Sequence, residues 1–160
     1  MPSTTPWKYF DKFLLPAYVR RRAQIGRAEV SPLVWRNKLH GVLPDDWRQQ
    51  FMHDVIKSFE WLGPEVVTPE LWTLWALSNG GLYFAPCSHS KFRLNRPDRS
   101  FDELVSAEAA GLVATLFALS SRRSNLMEPA PARLLKTLDK SLMAFARVHP
   151  ECAQLFAVMD

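Results

Sequence analysis

The chain has 160 residues, 48% hydrophobic and 22% charged, and its 20 Lys and Arg against 16 Asp and Glu leave a net charge of +4. A chain of this length usually makes one domain and buries roughly two-thirds of its unfolded surface. Charge or Pro breaks every hydrophobic run before the ~18 apolar residues of a membrane span. Lys8, Asp11 and Lys12 leave no secretory signal at the start, and Cys87 and Cys152 lie outside any Cys-x-x-Cys pair, so both read as reduced thiols and the protein as cytoplasmic.

Charge is concentrated at one end. Residues 1–40 hold eight Lys or Arg against Asp11 and Glu29, a net of +6, whereas residues 41–160 hold twelve basic and fourteen acidic residues, a net of −2. The chain therefore divides into a basic N-terminal extension, partly helical and docked, and an α+β body over 41–160 that has no electrostatic reason to bind nucleic acid. Within the extension, residues 1–6 read as a Pro/Ser/Thr tail. The spacing predicts a helix over 14–28 that carries Arg20, Arg21, Arg22 and Arg27. Ser31-Pro32 supplies an N-cap and first-turn Pro for a short helix over 33–39, stopped by Gly41.

The body opens on Pro44-Asp45-Asp46, an initiation signal for a helix whose apolar stripe is Trp47, Phe51, Val55 and Phe59 or Ser58, ending at Gly63-Pro64. Residues 71–77 and 82–85 are apolar and aromatic and flank Ser78-Asn79-Gly80-Gly81. Asn79 and Gly80 suit a type I′ hairpin turn, with Gly81 as a further permissive backbone. Trp72, Leu74 and Ala76 lie on one face of the first strand and Leu71, Trp75 and Leu77 on the other, which predicts cover on both faces and a largely buried Trp75. Lys91-Phe92-Arg93-Leu94 alternates as a third, edge-like strand, and residues 96–99 form a turn.

Ser106 is the expected N-cap of a helix with Glu108 in its first turn and Ala109, Leu112, Val113, Leu116 and Phe117 inward. Gly111 costs such a helix about 1 kcal/mol, so close packing against the sheet is its expected justification. An exposed loop over 122–131 leads to an amphipathic helix over 133–148, and Pro150 is placed in the first turn of a last helix. The whole reads as an α+β fold, a small antiparallel three-stranded sheet packed with about four to six helices.

Three of these segments carry a resemblance. LWTLWALSNGGLYFAP at 71–86, SAEAAGLVATLFALS at 106–120 and HPECAQLFAVMD at 149–160 occur in the order of an aromatic strand, a Gly-Gly turn, a Tyr strand ending in Ala-Pro, a Ser-Ala-x-Ala-x-Gly helix and a His-Pro-Glu helix. In this the chain resembles the ArdB/KlcA family of plasmid-borne antirestriction proteins, over roughly residues 43–160. Its motif positions are Trp72, Asn79, Gly80, Gly81, Tyr83, Pro86, Ser106, Gly111, His149 and Pro150. It departs from the family where Val67 to Trp72 replaces a Gly-Gly-Tyr-Trp and in its added basic segment of about 40 residues. The resemblance implies a small cytoplasmic protein that lets incoming plasmid or phage DNA escape type I restriction.

No catalytic, metal or cofactor constellation is expected. His40, His53, His89 and His149 lack ligand spacing, and no phosphate loop or hydrolase-like carboxylate pair occurs. Cys87-Ser88-His89 holds the residue types of a nucleophile pair but reads as a turn, and His149-Pro150-Glu151 reads as a helix start in which His149 caps or stacks. The candidate interaction residues form two groups. Arg20, Arg21, Arg22 and Arg27 lie near Trp7, Tyr9 and Tyr18, which suits phosphate contact with stacking, docking on an acidic protein, or a solvated cationic face. Asp98, Asp102, Glu103 and Glu108 form an acidic group where a protein partner is sought. The favoured reading is a non-enzymatic antirestriction protein that contacts the restriction complex or a host regulator. DNA binding through residues 7–36 is the alternative.

Overall fold

The apolar runs on either side of Ser78-Asn79-Gly80-Gly81 pair as the centre of a sheet. β2 (Trp72–Leu77) and β3 (Leu82–Pro86) are antiparallel, with Trp75 opposite Tyr83 and Leu74 opposite Phe84. This is seen in a computed structural model that describes residues 25–63, 65–124 and 129–160. The turn departs from type I′. Gly80 has φ +91°, while neither Asn79 nor Gly81 is in the positive region. The Gly80 N–H donates to the Leu77 carbonyl (3.0 Å) and the Leu77 N–H to the Gly81 carbonyl (2.8 Å), the pattern of a tight turn followed by a left-handed Gly bulge. Asn79 serves through its side chain instead: Oδ1 accepts from the Gly81 N–H at 3.1 Å and Nδ2 donates to the Ser141 carbonyl at 3.0 Å. Gly80→Val is therefore expected to lower stability by about 1–2 kcal/mol, the cost of a β-carbon in left-handed backbone. Gly81→Ala, which meets only side-chain atoms of Leu77, Asn79 and Leu142, is expected to cost less. Denaturant midpoints of the two variants check the order.

The third strand of this sheet comes from an unexpected place. β1 (Arg27–Val30) pairs antiparallel with the outer side of β2, Glu29 opposite Trp75 and Arg27 opposite Leu77, giving the order β1-β2-β3. The helix expected over 14–28 is thus wrong at its end, and its earlier residues lie outside the described ones. Only Val30 of β1 is buried, so the strand's one apolar contact left little trace in the sequence. The alternating segment β4 (Lys91–Arg96) pairs instead with β5 (Phe101–Ser106), in a separate two-stranded sheet. The expected fold class holds, with three strands plus two.

Among the described residues, five helices follow the sequence signals with shifted ends. α1 (Trp35–Leu39) comes after a turn in which Ser31 Oγ accepts from the Leu33 N–H. α2 (Phe51–Leu62) begins later than Pro44-Asp45-Asp46 suggested, because successive tight turns occupy the intervening residues and Trp47 Nε1 donates to Asp54 Oδ2 at 2.6 Å. Its expected stripe of Trp47, Phe51, Val55 and Phe59 is fully buried. α3 (Ala107–Arg123) is capped by Ser106, whose Oγ accepts from the Ala109 N–H at 3.1 Å. α4 (Pro129–Arg147) starts before position 133, and α5 (Cys152–Met159) starts after Pro150 rather than on it.

One face of the sheet is covered throughout and the other in part. Phe84 meets Trp35 and Phe51 on one face, with ring centroids at 5.1 and 5.4 Å, and Tyr83 stacks on Phe145 of α4 at 5.9 Å on the other. α3 lies along the outer side of β3. The Phe84 N–H donates to Thr115 Oγ1 at 3.2 Å, and Gly111 faces β3 so closely that a β-carbon there would overlap the Phe84 carbonyl and the Ala85 backbone. The second face stays open around Thr73 and Trp75. Trp75 is therefore half-buried rather than largely buried.

Candidate functional site

Glu108 sits in the first turn of α3, where exposed amides favour a negative charge. The fold brings three donors to its carboxylate. Tyr83 Oη of β3 donates to Oε2 at 2.9 Å, Arg27 Nε of β1 reaches Oε2 at 3.2 Å, and His149 Nε2, from the turn between α4 and α5, meets Oε1 at 3.1 Å. His149 Nδ1 accepts from the Glu151 N–H at 3.0 Å. That contact fixes the ring proton on Nε2, where it donates to Glu108. Glu151 Oε2 in turn accepts from the Ser106 N–H at 3.0 Å, beside the cap of α3. His149 is buried and lies edge-on to Phe145 at 5.8 Å, so it caps and stacks as expected of the His-Pro-Glu motif.

The electrostatics follow from these bonds. Burial alone pushes the Glu108 pKa up, but hydrogen bonds from His149 and Tyr83 and the Arg27 charge outweigh it, and the carboxyl lies below its ordinary value. Tyr83 moves the other way. Burial first, then the Glu108 charge and hydrogen bond, raise its pKa and keep the phenol protonated. The network thus holds a carboxylate among three donors and ties two strands, a helix and a distant turn together.

A groove of about 410 Å³ opens beside it, lined by Arg27, Glu29, Thr73, Trp75, Cys87, His89 and Glu108 among others. The Arg27 guanidinium lies over the Trp75 ring, 4.2 Å from its centroid, within the range of a cation–π contact. Cys87 and His89 line the same groove but are engaged separately: Cys87 Sγ with the Leu71 carbonyl at 3.1 Å, His89 Nδ1 with Glu65 at 3.8 Å.

The expected residues divide between this site and other places. Arg27, Glu108, Tyr83, Ser106 and His149 converge here. Arg20, Arg21 and Arg22 lie outside the described residues. The acidic group does not assemble: Asp98 pairs with Arg96 at 3.2 Å, Asp102 on β5 pairs with Arg93 at 2.8 Å, Glu103 is exposed on β5, and Glu108 is in the network. The reason is that β5 is a strand and not a loop, so adjacent side chains point apart. Trp72 is buried with Nε1 donating to the Val67 carbonyl, Pro86 ends β3, and Pro150 lies in the turn before α5. Glu151 was read in the sequence only as part of a helix start, and Thr115 was not singled out; a polar residue within an apolar helix face is the signal Thr115 offered.

A small α+β domain whose helix-start carboxylate binds distant elements is what the fold and site define. The model of a family described as antirestriction protein matches residues 68–160. The chain belongs to that family. Antirestriction protein KlcA of Escherichia coli is 39% identical over 89 residues, 56% of this chain and 61% of that protein. A second KlcA of the same organism is 35% identical, again over 56% of this chain and 63% of that one. The putative antirestriction protein YubI of Escherichia coli (strain K12) is 28% identical over 56% of this chain and 64% of its own length. The chain thus spans less than two-thirds of the length of these curated relatives. A solved structure, described as showing that the KlcA and ArdB proteins have a novel fold and antirestriction activity against type I DNA restriction systems in vivo but not in vitro, matches with a TM-score of 0.74 and 26% identity, covering 85% of this chain and 95% of that one. Among the described residues no helix is long and apolar enough to cross a membrane.

Proposed function

We propose that this protein counteracts type I restriction in the cell without catalysis, by contact with the restriction complex or with a host protein that controls it, and so aids the establishment of incoming plasmid or phage DNA. The observation that carries the reading is the structural match over 85% of the chain to a protein described as active in vivo but not in vitro. The segment matched by the family model supplies Tyr83, Glu108 and His149, three members of the polar network. An effect confined to cells fits a protein that meets a partner there rather than one that cuts or modifies DNA. The net charge of −2 over residues 41–160 speaks against mimicry of DNA as well as against binding it.

The test is an in-cell restriction assay. Expression should raise the recovery of unmodified phage in a strain with a type I system, while the purified protein neither cuts nor modifies DNA. An Arg20→Ala, Arg21→Ala, Arg22→Ala variant should keep the protection. No protection in cells would sink the proposed activity, and its loss in the triple variant with salt-sensitive DNA binding by the parent would favour the nucleic-acid alternative.

A further inference from the structure

α4 divides its side chains between two opposite faces. Leu135, Leu138, Leu142, Phe145 and Ala146 are buried against the body. With 3.6 residues per turn, Arg133, Lys136, Lys140 and Arg147 fall within an arc of about 60° on the far side, in a row roughly 21 Å long. All four are exposed, and none has an ion pair or hydrogen bond among the described residues. The one carboxylate of the helix, Asp139, lies off the row and pairs with Arg123 at 3.1 Å. Several Arg elsewhere on the surface stand beside a carboxylate instead: Arg48 with Asp45, Arg93 with Asp102 and Arg122 with Asp46. The row does not serve the helix itself. Like charges three and four positions apart repel, and only Arg147 lies in the last turn, where the helix dipole favours a cation.

We infer that this row is a contact surface for the phosphate backbone of duplex DNA, held by charge and without reading sequence. The net charge of −2 over residues 41–160 is a sum over the whole body. At physiological salt a charge acts over about 8 Å, so a phosphate at α4 meets the row and not that sum. What the row lacks selects among anionic partners. Protein interfaces draw their energy from aromatic and apolar anchors, but the side chains interleaved with these cations are Thr137 and Ala144. A membrane-surface helix lays an apolar face into lipid, whereas the apolar face of α4 is in the core. Single strands are held by stacking on aromatic rings, and none stands on the row. Duplex RNA is recognised through its 2′-hydroxyls, for which the row offers only the Thr137 hydroxyl. Duplex DNA needs only cations that reach phosphates, and the row is long enough to cross a major groove about 12 Å wide and touch both bordering strands. This contact goes beyond the proposed contact with a partner protein and does not rest on it.

The test uses the full chain carrying Arg20→Ala, Arg21→Ala and Arg22→Ala, which removes the other concentrated basic group, with circular dichroism to verify the fold. A fluorescein-labelled DNA duplex of mixed sequence is titrated by anisotropy over a salt series. This protein should bind the duplex, and adding Lys136→Glu and Lys140→Glu should weaken binding by about tenfold or more at low salt. Replacing Arg133, Lys136, Lys140 and Arg147 by Gln should lower the slope of log affinity against log salt by about one for each cation removed. No binding at low salt, or an affinity and a slope that the α4 substitutions leave unchanged, overturns the inference. Binding that depends on the row but is tighter for oligothymidylate, an RNA duplex, poly-glutamate or phosphatidylserine vesicles assigns the row to that partner and likewise overturns it. None of these readouts involves restriction, so failure here and failure of the in-cell assay are distinguishable.

Discussion

Gly111→Leu is expected to destabilise the protein by more than the roughly 1–3 kcal/mol typical of an overfilled core. The obstacle is backbone. A β-carbon at 111 would overlap the Phe84 carbonyl oxygen and the Ala85 Cα, and would come within 2.7 Å of the Ala85 Cβ. A flexible side chain turns aside from such a clash, but a paired strand moves only with its sheet. Even Gly111→Ala should be destabilising, although Ala favours a helix by about 1 kcal/mol over Gly. Urea unfolding of both variants decides the point: an Ala variant as stable as the parent would show that α3 stands off β3.

Glu108→Ala should also be damaging, by about 1–3 kcal/mol for each of the two buried neutral donors that it leaves unpaired. It leaves the Tyr83 hydroxyl and His149 Nε2 without their acceptor, in a place where both side chains are buried. The same carboxylate gives the stability a pH dependence of known sign. Its pKa in the fold lies below the ordinary value, so the unfolded chain takes up the proton first as pH falls. The contribution is therefore fully present above the unfolded carboxyl pKa of about 4.3 and is lost as pH drops through the lower folded value. Glu108→Gln, which keeps the shape and removes the charge, should flatten that part of the curve of unfolding free energy against pH. An unchanged acid limb would mean that Glu108 is not the group responsible.

What the sequence disclosed depended on how much each residue's neighbours in sequence resembled its neighbours in space. The α2 stripe, the Ser106 cap and the close approach at Gly111 are local patterns, and all three are present. The turn at Asn79 was misread because two backbone solutions share those residues, and in the one adopted the Asn79 side chain bonds the Ser141 carbonyl, 62 positions away. β1 and β5 were missed for a related reason. Each is short or charged, and each is a strand because a partner strand is available to it. The polar network was legible only as scattered residues. Glu108 was named for its charge and His149 for a motif, but nothing in the spacing 27, 83, 108 and 149 says that they meet.

The placement of α3 also governs what the protein avoids. A strand at the border of a sheet ordinarily offers a row of free amides to any other extended chain. Along β3 that row is occupied by a helix, with Thr115 taking up the Phe84 amide and Gly111 leaving no gap for a competitor. Neither a second copy nor an unfolded chain can add a strand on that side, so β3, the one strand among the described residues that is buried along its whole length, is sealed against edge-to-edge aggregation.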